Sequence, residues 1–307
     1  MSDDDLAETR GPLALGTLWA FDRARASGKS APCPRKAPTM TQARRTERLD
    51  QGAPEPREGG HLRLLQSRAP RVLILIPCLN EGPRIGALLR EVHKLHPGTD
   101  ILVVDDGSQD DSVQRARAAG AEVLQLPFHL GYGAALQTGY RYALDGGYDV
   151  VVQMDGDGQH PADEIATLLG ALQQSGCDLV IGSRFLGRRC YRIPGLRRLG
   201  ISLFSKLVSC LAGRQITDPT SGFQAMNRRM LSFYQQDFYP YDYPDADLLL
   251  RVHYEGLSFQ EQAVEMLAGP PGKSMHSGLS PIYYVYKLLL SLGLTWLSGS
   301  LRRSPLP

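Results

Sequence analysis

Cysteine is scarce in this chain: five in 307 residues, Cys33, Cys78, Cys177, Cys190 and Cys210, an odd number with no CxxC pair. That pattern supports neither a disulfide framework nor a structural zinc site, and it matches a reducing compartment such as the cytoplasm. Net charge is scarce too. The 34 Lys and Arg nearly cancel 32 Asp and Glu, leaving +2, so no global field draws in nucleic acid as the main partner. Long apolar runs are missing except at Pro281 to Leu301, close to the roughly 20 residues of a bilayer span. A multi-spanning membrane protein is thereby excluded. With 42% hydrophobic and 21% charged residues, the bulk of the chain has the composition of a globular protein in water.

Three regions follow from texture. Residues 1–69 are rich in Ala, Arg, Pro, Gly and Ser without helix or strand periodicity, and Arg23 to Arg48 carries eight basic residues against the single acid Glu47. This reads as a disordered basic and proline-rich tail. Its apolar patch Leu13 to Phe21 follows Asp3, Asp4 and Asp5, the wrong polarity for a secretory signal. Residues 70–275 alternate short apolar runs with amphipathic stretches, the signature of βαβ units around a mostly parallel sheet. The expected strands are Val72 to Ile76, Ile101 to Val104, Ala121 to Leu126, Val150 to Gln153 and Leu179 to Ile181. Helices are expected near 83–95, 109–119, 132–145, 161–174 and 199–212, with a loop centred on Asp218. Residues 276–307 form an apolar C-terminal helix with one cation, Lys287, between Pro281 and Leu301, better suited to lying on a membrane than to crossing it.

In doubly wound sheets ligands bind beyond the carboxyl ends of the strands. Three expected strands end in polar residues: Pro77, Cys78, Leu79, Asn80 and Glu81; Asp105, Asp106, Gly107 and Ser108; and Asp155, Gly156, Asp157, Gly158, Gln159 and His160. Asp155 and Asp157, one glycine apart, can both reach a single hard cation, and Mg2+ or Mn2+ suits such ligands while leaving positions open for substrate phosphates. Asp105 and Asp106 then lie where a nucleotide's base and ribose would sit, as acceptors for base N–H and ribose hydroxyls. Ser108 or Asp110 is also placed to cap the next helix.

The ordered set VLILIPCLNE, VVDDGSQDDS, HLGYGAALQTGYRYA, VVVQMDGDGQHP, GSRF and DPTSGFQAMNRR resembles the family 2 inverting glycosyltransferases of GT-A fold, in their dolichol- or polyprenyl-phosphate branch. The resemblance covers about residues 70 to 275. It implies a Rossmann-like α/β fold and a nucleotide-diphosphate-sugar donor, with Pro77, Asn80, Glu81, Asp105 and Asp106 on the nucleoside side. It puts Asp155 and Asp157 on the metal, with Gly131, Gly156 and Gln159 lining the donor site. His129 departs from the family's usual Asn, although imidazole can still donate a hydrogen bond. Gly272-Lys273-Ser274 resembles the branch's C-terminal loop with its cation displaced, and makes Lys273 a candidate donor-site residue.

Arg184, just after the fifth strand, has the geometry to clamp a phosphate. Arg188, Arg189, Arg192, Arg197 and Arg198 extend it into a basic apron beside the apolar stretch 199–212, as an anionic lipid phosphate requires. Such an acceptor is ionised already and needs no general base. A saccharide hydroxyl does need one, and Asp218, Asp245 and Asp247 are the candidates. The expected partners are therefore a nucleotide-diphosphate sugar, a polyprenyl phosphate or saccharide acceptor, and the inner membrane surface with room for a membrane-protein partner. A nucleotidyltransferase is disfavoured because Cys78 to Pro83 is not a glycine-rich basic triphosphate loop. An inactive nucleotide-binding module is disfavoured because both metal carboxylates are present.

Overall fold

The structure, a computed structural model, describes residues 69–186, 195–242, 244, 246–267 and 290–295, with backbone alone for 195–203 and 246. In chain order the elements are β1 (Val72–Cys78), α1 (Gly82–Leu95), β2 (Asp100–Asp105), α2 (Ser112–Ala118), β3 (Glu122–Gln125), α3 (Tyr132–Asp145) and β4 (Val150–Gln153). There follow α4 (Glu164–Ser175), β5 (Leu179–Ser183), α5 (Gly195–Ala212), β6 (Gln224–Asn227), α6 (Arg228–Tyr234), α7 (Ala246–Tyr254) and β7 (Phe259–Ala263). The strands form one sheet in the order β3-β2-β1-β4-β6-β5-β7. β6 runs antiparallel to β4 and β5, and the other pairings are parallel.

Side-chain alternation along β1 divides the interior into two layers. Leu73 and Leu75 join Leu102, Val104 and Val151 beneath α3, α5, α6 and α7. Val72, Ile74 and Ile76 join Ile101, Val103 and Val152 beneath α1 and α4. With both faces covered, β1 is buried along its whole length, which is why it reads as an unbroken apolar run rather than an alternating one. Register pairs Cys78 with Asp105 and Leu75 with Gln153, so β1, β2 and β4 end along one edge of the sheet.

All five expected strands and all five expected helices are present within a few residues. Two strands and two helices were not foreseen. β6, Gln224–Asn227, has only Ala225 and Met226 between two polar residues and so shows no apolar run. α7 lies in the segment read above for its acids, although Leu248, Leu249, Leu250 and Val252 are buried beneath it. Asp110 serves the helix it was expected to cap: its Oδ1 accepts from Ser112 N–H, the first residue of α2, at 3.0 Å, and its Oδ2 accepts from Gly82 N–H, the first residue of α1, at 3.0 Å. The Ser108 hydroxyl instead accepts from Asn80 N–H at 2.8 Å. Residues 1–68 lie outside the described residues. Of the C-terminal apolar stretch, 290–295 is helical, with Leu292 in the core and Leu290 and Leu294 exposed. No helix among the described residues is long and apolar enough to cross a membrane.

Candidate active site

A cleft of about 480 Å3 opens along the edge where β1, β2 and β4 end. Its walls include Pro77, Cys78, Leu79 and Glu81 after β1, Asp106 after β2, and Asp155, Gly156 and Asp157 after β4. The loop before β6 adds Thr220, Ser221 and Gly222, and Tyr132, Tyr234, Tyr239, Pro244 and Leu248 also line the cleft. The three polar strand ends singled out in the sequence thus meet in one cavity.

Side-chain hydrogen bonds tie together the loops that follow β1 and β2. Asn80 takes a left-handed conformation, φ 54°, which Asn tolerates better than most residues. Its side chain accepts from Gln109 N–H at 2.8 Å, and Glu81 N–H donates to Ser112 Oγ at 2.8 Å. Asp106 is spent on the 129–131 loop: Leu130 N–H donates to one oxygen at 2.7 Å, and Gly131 N–H (3.0 Å) and His129 Nδ1 (2.8 Å) meet the other. The imidazole therefore makes the bond expected of it. Asp105 is buried and accepts from Ser108 N–H, but its Oδ1 has no protein partner. Burial pushes the Cys78 thiol up to about 11, so it stays protonated and is a poor nucleophile.

In the 155–160 turn, Gly156 allows a close approach, since a Cβ there would lie 3.2 Å from the Pro77 carbonyl oxygen, tighter than an ordinary contact. Asp157 accepts from Gln159 N–H at 2.9 Å and from the Gln159 side-chain amide. Asp155 N–H donates to His160 Nδ1 at 3.0 Å, and Nε2 of that ring lies 3.7 Å from Asp155 Oδ2. Burial pulls this imidazole below the usual histidine range, against the pull of Asp155 and Asp157. Its ring stacks on Phe223, with centroids 4.8 Å apart. Asp155 Oδ1 accepts from the Tyr132 hydroxyl at 2.7 Å, which burial above all raises well beyond the ordinary phenol value. The residues fit a divalent cation: two hard carboxylates bordering one cleft, with too few protein ligands to close the coordination sphere. No cluster of three or more His, Cys, Asp or Glu is found among the described residues.

The base candidates separate. Asp218 is fully buried, and Arg184 occupies it from both sides, with Nε on Oδ2 at 2.7 Å and an Nη on Oδ1 at 2.7 Å. Arg184 N–H adds a third donor. Fully buried and ion-paired to Arg184, Asp218 exposes no surface from which to take a substrate proton, unlike the general base expected of it. Glu261 holds the same loop by accepting from Thr217 and Asp218 N–H. Asp247, in the first turn of α7, accepts from Ser291 Oγ at 2.5 Å, beside Leu248 on the cleft wall. Asp245, Lys273, Arg188, Arg189 and Arg192 lie outside the described residues, and the side chains of Arg197 and Arg198 are not described. Tyr132 and Gly222 were not singled out in the sequence, though Tyr132 stands inside the noted Gly131-Tyr132-Gly133 and Gly222 inside DPTSGF.

The sequence profile described as Glycosyl transferase family 2 matches residues 73–234, more than half of the chain. The chain belongs to glycosyltransferase family 2. This family 2 glycosyltransferase is 37% identical over 168 residues to a polyprenol monophosphomannose synthase of Mycolicibacterium smegmatis, covering 52% of this chain and 63% of that protein. It is 35% identical over 168 residues to an undecaprenyl-phosphate mannosyltransferase of Micrococcus luteus, covering 50% and 65%. The chain thus spans less than two thirds of the length of these relatives. Among solved structures it resembles glucosyl-3-phosphoglycerate synthase of Mycobacterium tuberculosis, crystallised with Mn2+, uridine-diphosphate-glucose and phosphoglyceric acid. There the TM-score is 0.57 at 24% identity, over 73% of this chain and 80% of that one. That likeness carries the fold alone, GT-A.

Proposed function

We propose that this glycosyltransferase moves a sugar, with inversion, from a nucleotide-diphosphate sugar to a polyprenyl phosphate, using Mg2+ or Mn2+ at the cytoplasmic membrane surface. The observation that carries the reading is that one cleft is lined by Pro77, Glu81 and Asp106 together with Asp155 and Asp157. The names of the Mycolicibacterium and Micrococcus relatives support the acceptor class.

We assign the base N–H contact to Asp105, whose buried Oδ1 lacks a protein donor, although it is Asp106 and not Asp105 that lines the cleft. Asn80, Ser108 and Asp106 act through the loops they fix. Asp155 and Asp157 hold the cation, which when bound neutralises charge on the departing diphosphate. The chain's own task is alignment. The C1–O bond to the diphosphate breaks while a lipid phosphate oxygen, already ionised, bonds to C1 from the opposite face, so no side chain has to take a proton. Arg184, its charge balanced by Asp218, orders the 217–222 loop beside Asp155. Arg188 to Arg198 and Lys273 are the cations assigned to the lipid phosphate, and the outward Leu290 and Leu294 to the membrane interface.

A screen of UDP- and GDP-sugars with purified protein and a short-chain polyprenyl phosphate tests the reading. Transfer to the lipid phosphate is expected, together with flotation on anionic vesicles that weakens on removing residues 279 to 307. Better transfer to a soluble saccharide would overturn the lipid acceptor and make Asp245 or Asp247 the base to examine.

A further inference from the structure

Outside the strand-end motifs, the cleft holds a chain of buried polar contacts that runs from Asp155 into the tyrosine cluster between α3 and α6. The Tyr140 hydroxyl donates to the Gln153 side-chain oxygen. That contact turns the Gln153 amide nitrogen toward Tyr132, where it donates to the hydroxyl oxygen at 3.2 Å. A hydroxyl has one proton. With its oxygen receiving from Gln153, Tyr132 directs that proton to Asp155 Oδ1, an acceptor 2.7 Å away.

The Tyr132 backbone is equally constrained. It is the first residue of α3, and the next two amides donate to the 241–242 loop, Gly133 N–H to the Asp242 carbonyl at 2.8 Å and Ala134 N–H to the Tyr241 carbonyl at 3.1 Å. From the opposite side Gly222 leaves room for the pair, since a Cβ there would lie 3.0 Å from both the Tyr132 hydroxyl and Asp155 Oδ2.

We infer that Tyr132 is a positioning residue for the cation site, holding Asp155 by Oδ1 so that Oδ2 alone is presented to the metal. The inference rests on the proposed cation role of Asp155. It makes Asp155 a one-oxygen ligand and gives a reason for a tyrosine at the helix start, where an apolar residue would pack as well. It also ties the loop leading to α7 mechanically to the cation ligand, through three consecutive residues of α3.

The test is a titration of the full-length protein with Mn2+ alone, reading free Mn2+ by electron paramagnetic resonance, for wild type, Tyr132→Phe and Asp155→Asn. Loss of a group that orients a metal ligand typically weakens affinity by about tenfold or more, so Y132F is expected to shift the Mn2+ dissociation constant upward by about that factor with its melting temperature unchanged. In turnover assays it should raise the Mn2+ concentration for half-maximal rate while kcat recovers at saturating metal. D155N is expected to lose the site. If D155N loses Mn2+ and Y132F binds it like wild type, the positioning role is refuted while the cation site stands. If D155N binds like wild type, the cation reading itself fails and the inference with it. Should Y132F be unstable, Gln153→Met keeps the tyrosine but removes the donor that orients it, and must weaken Mn2+ binding in the same direction for the inference to survive.

Discussion

Gly133→Ala is the substitution whose outcome the geometry specifies most closely. Gly133 is the second residue of α3 and has an ordinary helical conformation, so alanine there would normally stabilise by roughly 1 kcal/mol. Here a Cβ would stand 1.9 Å from the Pro240 carbonyl oxygen, 2.9 Å from that of Tyr241 and 3.0 Å from the Pro240 carbonyl carbon. All three obstacles are backbone, so no side-chain rotation relieves them. Opening the shortest contact to roughly 3.5 Å moves the 240–242 loop by about 1.5 Å. That breaks the hydrogen bonds from Gly133 to Asp242 and from Ala134 to Tyr241, at about 1 kcal/mol each. Overpacking adds about 1–3 kcal/mol, and the helix gain offsets part of it. A net loss of about 2–4 kcal/mol corresponds to a melting temperature lower by roughly 5–15 °C for a domain of this size. Because Tyr239 and Pro244 on the cleft wall flank the displaced loop, kcat/KM should fall further than the folded fraction does. Gly158→Ala is the comparison: its φ is +78° but nothing lies within 4 Å, so strain of about 1–2 kcal/mol is the only cost. Urea denaturation of both variants decides the matter. If G133A is as stable as wild type, the close approach of α3 to the 240–242 loop is wrong.

Asp157→Asn should lower turnover by two or more orders of magnitude with a nearly unchanged melting temperature, because a strand-end turn contributes little to the core; full activity in D157N, or in excess chelator, contradicts the cation role. Arg184→Ala strands the fully buried Asp218 without its partner and is expected to cost about 3–5 kcal/mol, whereas Arg184→Ala with Asp218→Ala should recover much of that; calorimetry of the two compares them, and a fully stable single variant is the contrary result. His96 is buried, its Nε2 bonds the Ala162 carbonyl at 2.7 Å and its Nδ1 has no partner. Burial lowers its affinity for a proton from the ordinary 6.5, so as pH falls through 6.5 the unfolded chain protonates first and stability drops, by at most about 1.4 kcal/mol per pH unit. Above that pH the folded state has its full stability. Melting curves from pH 7.5 to 5 should show this slope reduced in His96→Asn, and an equal slope in both proteins refutes it.

The central sheet and the chemistry at its edge were legible because their signals are local. Buried parallel strands read as short apolar runs, and functional residues crowd the turns that follow them, so Asp155, Asp157 and Asp106 could be located from position alone. Asp218 shows where that method stops. An acid in a loop reads the same whether it faces a substrate or a guanidinium, and only the fold brings Arg184 onto it from 34 positions away. Tyr132 was hidden for a related reason: next to two glycines at a helix start it reads as packing, and its contact with Asp155 exists only across two elements. β6, with polar residues at both ends, lacked the apolar run that marked the other strands of the centre, yet it completes the link between the two halves of the sheet.

That strand has a consequence for how the enzyme can be altered. Because β6 points against its neighbours, it begins at the edge where β4 and β5 end, and the loop ahead of it, Thr220 to Gly222, arrives on the same rim as Asp155. The chain therefore leaves this rim at the end of β5 and comes back to it at the start of β6, on two adjacent strands. A cassette of that kind can be exchanged between relatives with its ends held in place by the β4–β6 and β5–β6 ladders. Under the proposed function, the donor residues, which follow β1, β2 and β4, would be carried over intact by such an exchange, and acceptor preference would then be altered separately from donor preference.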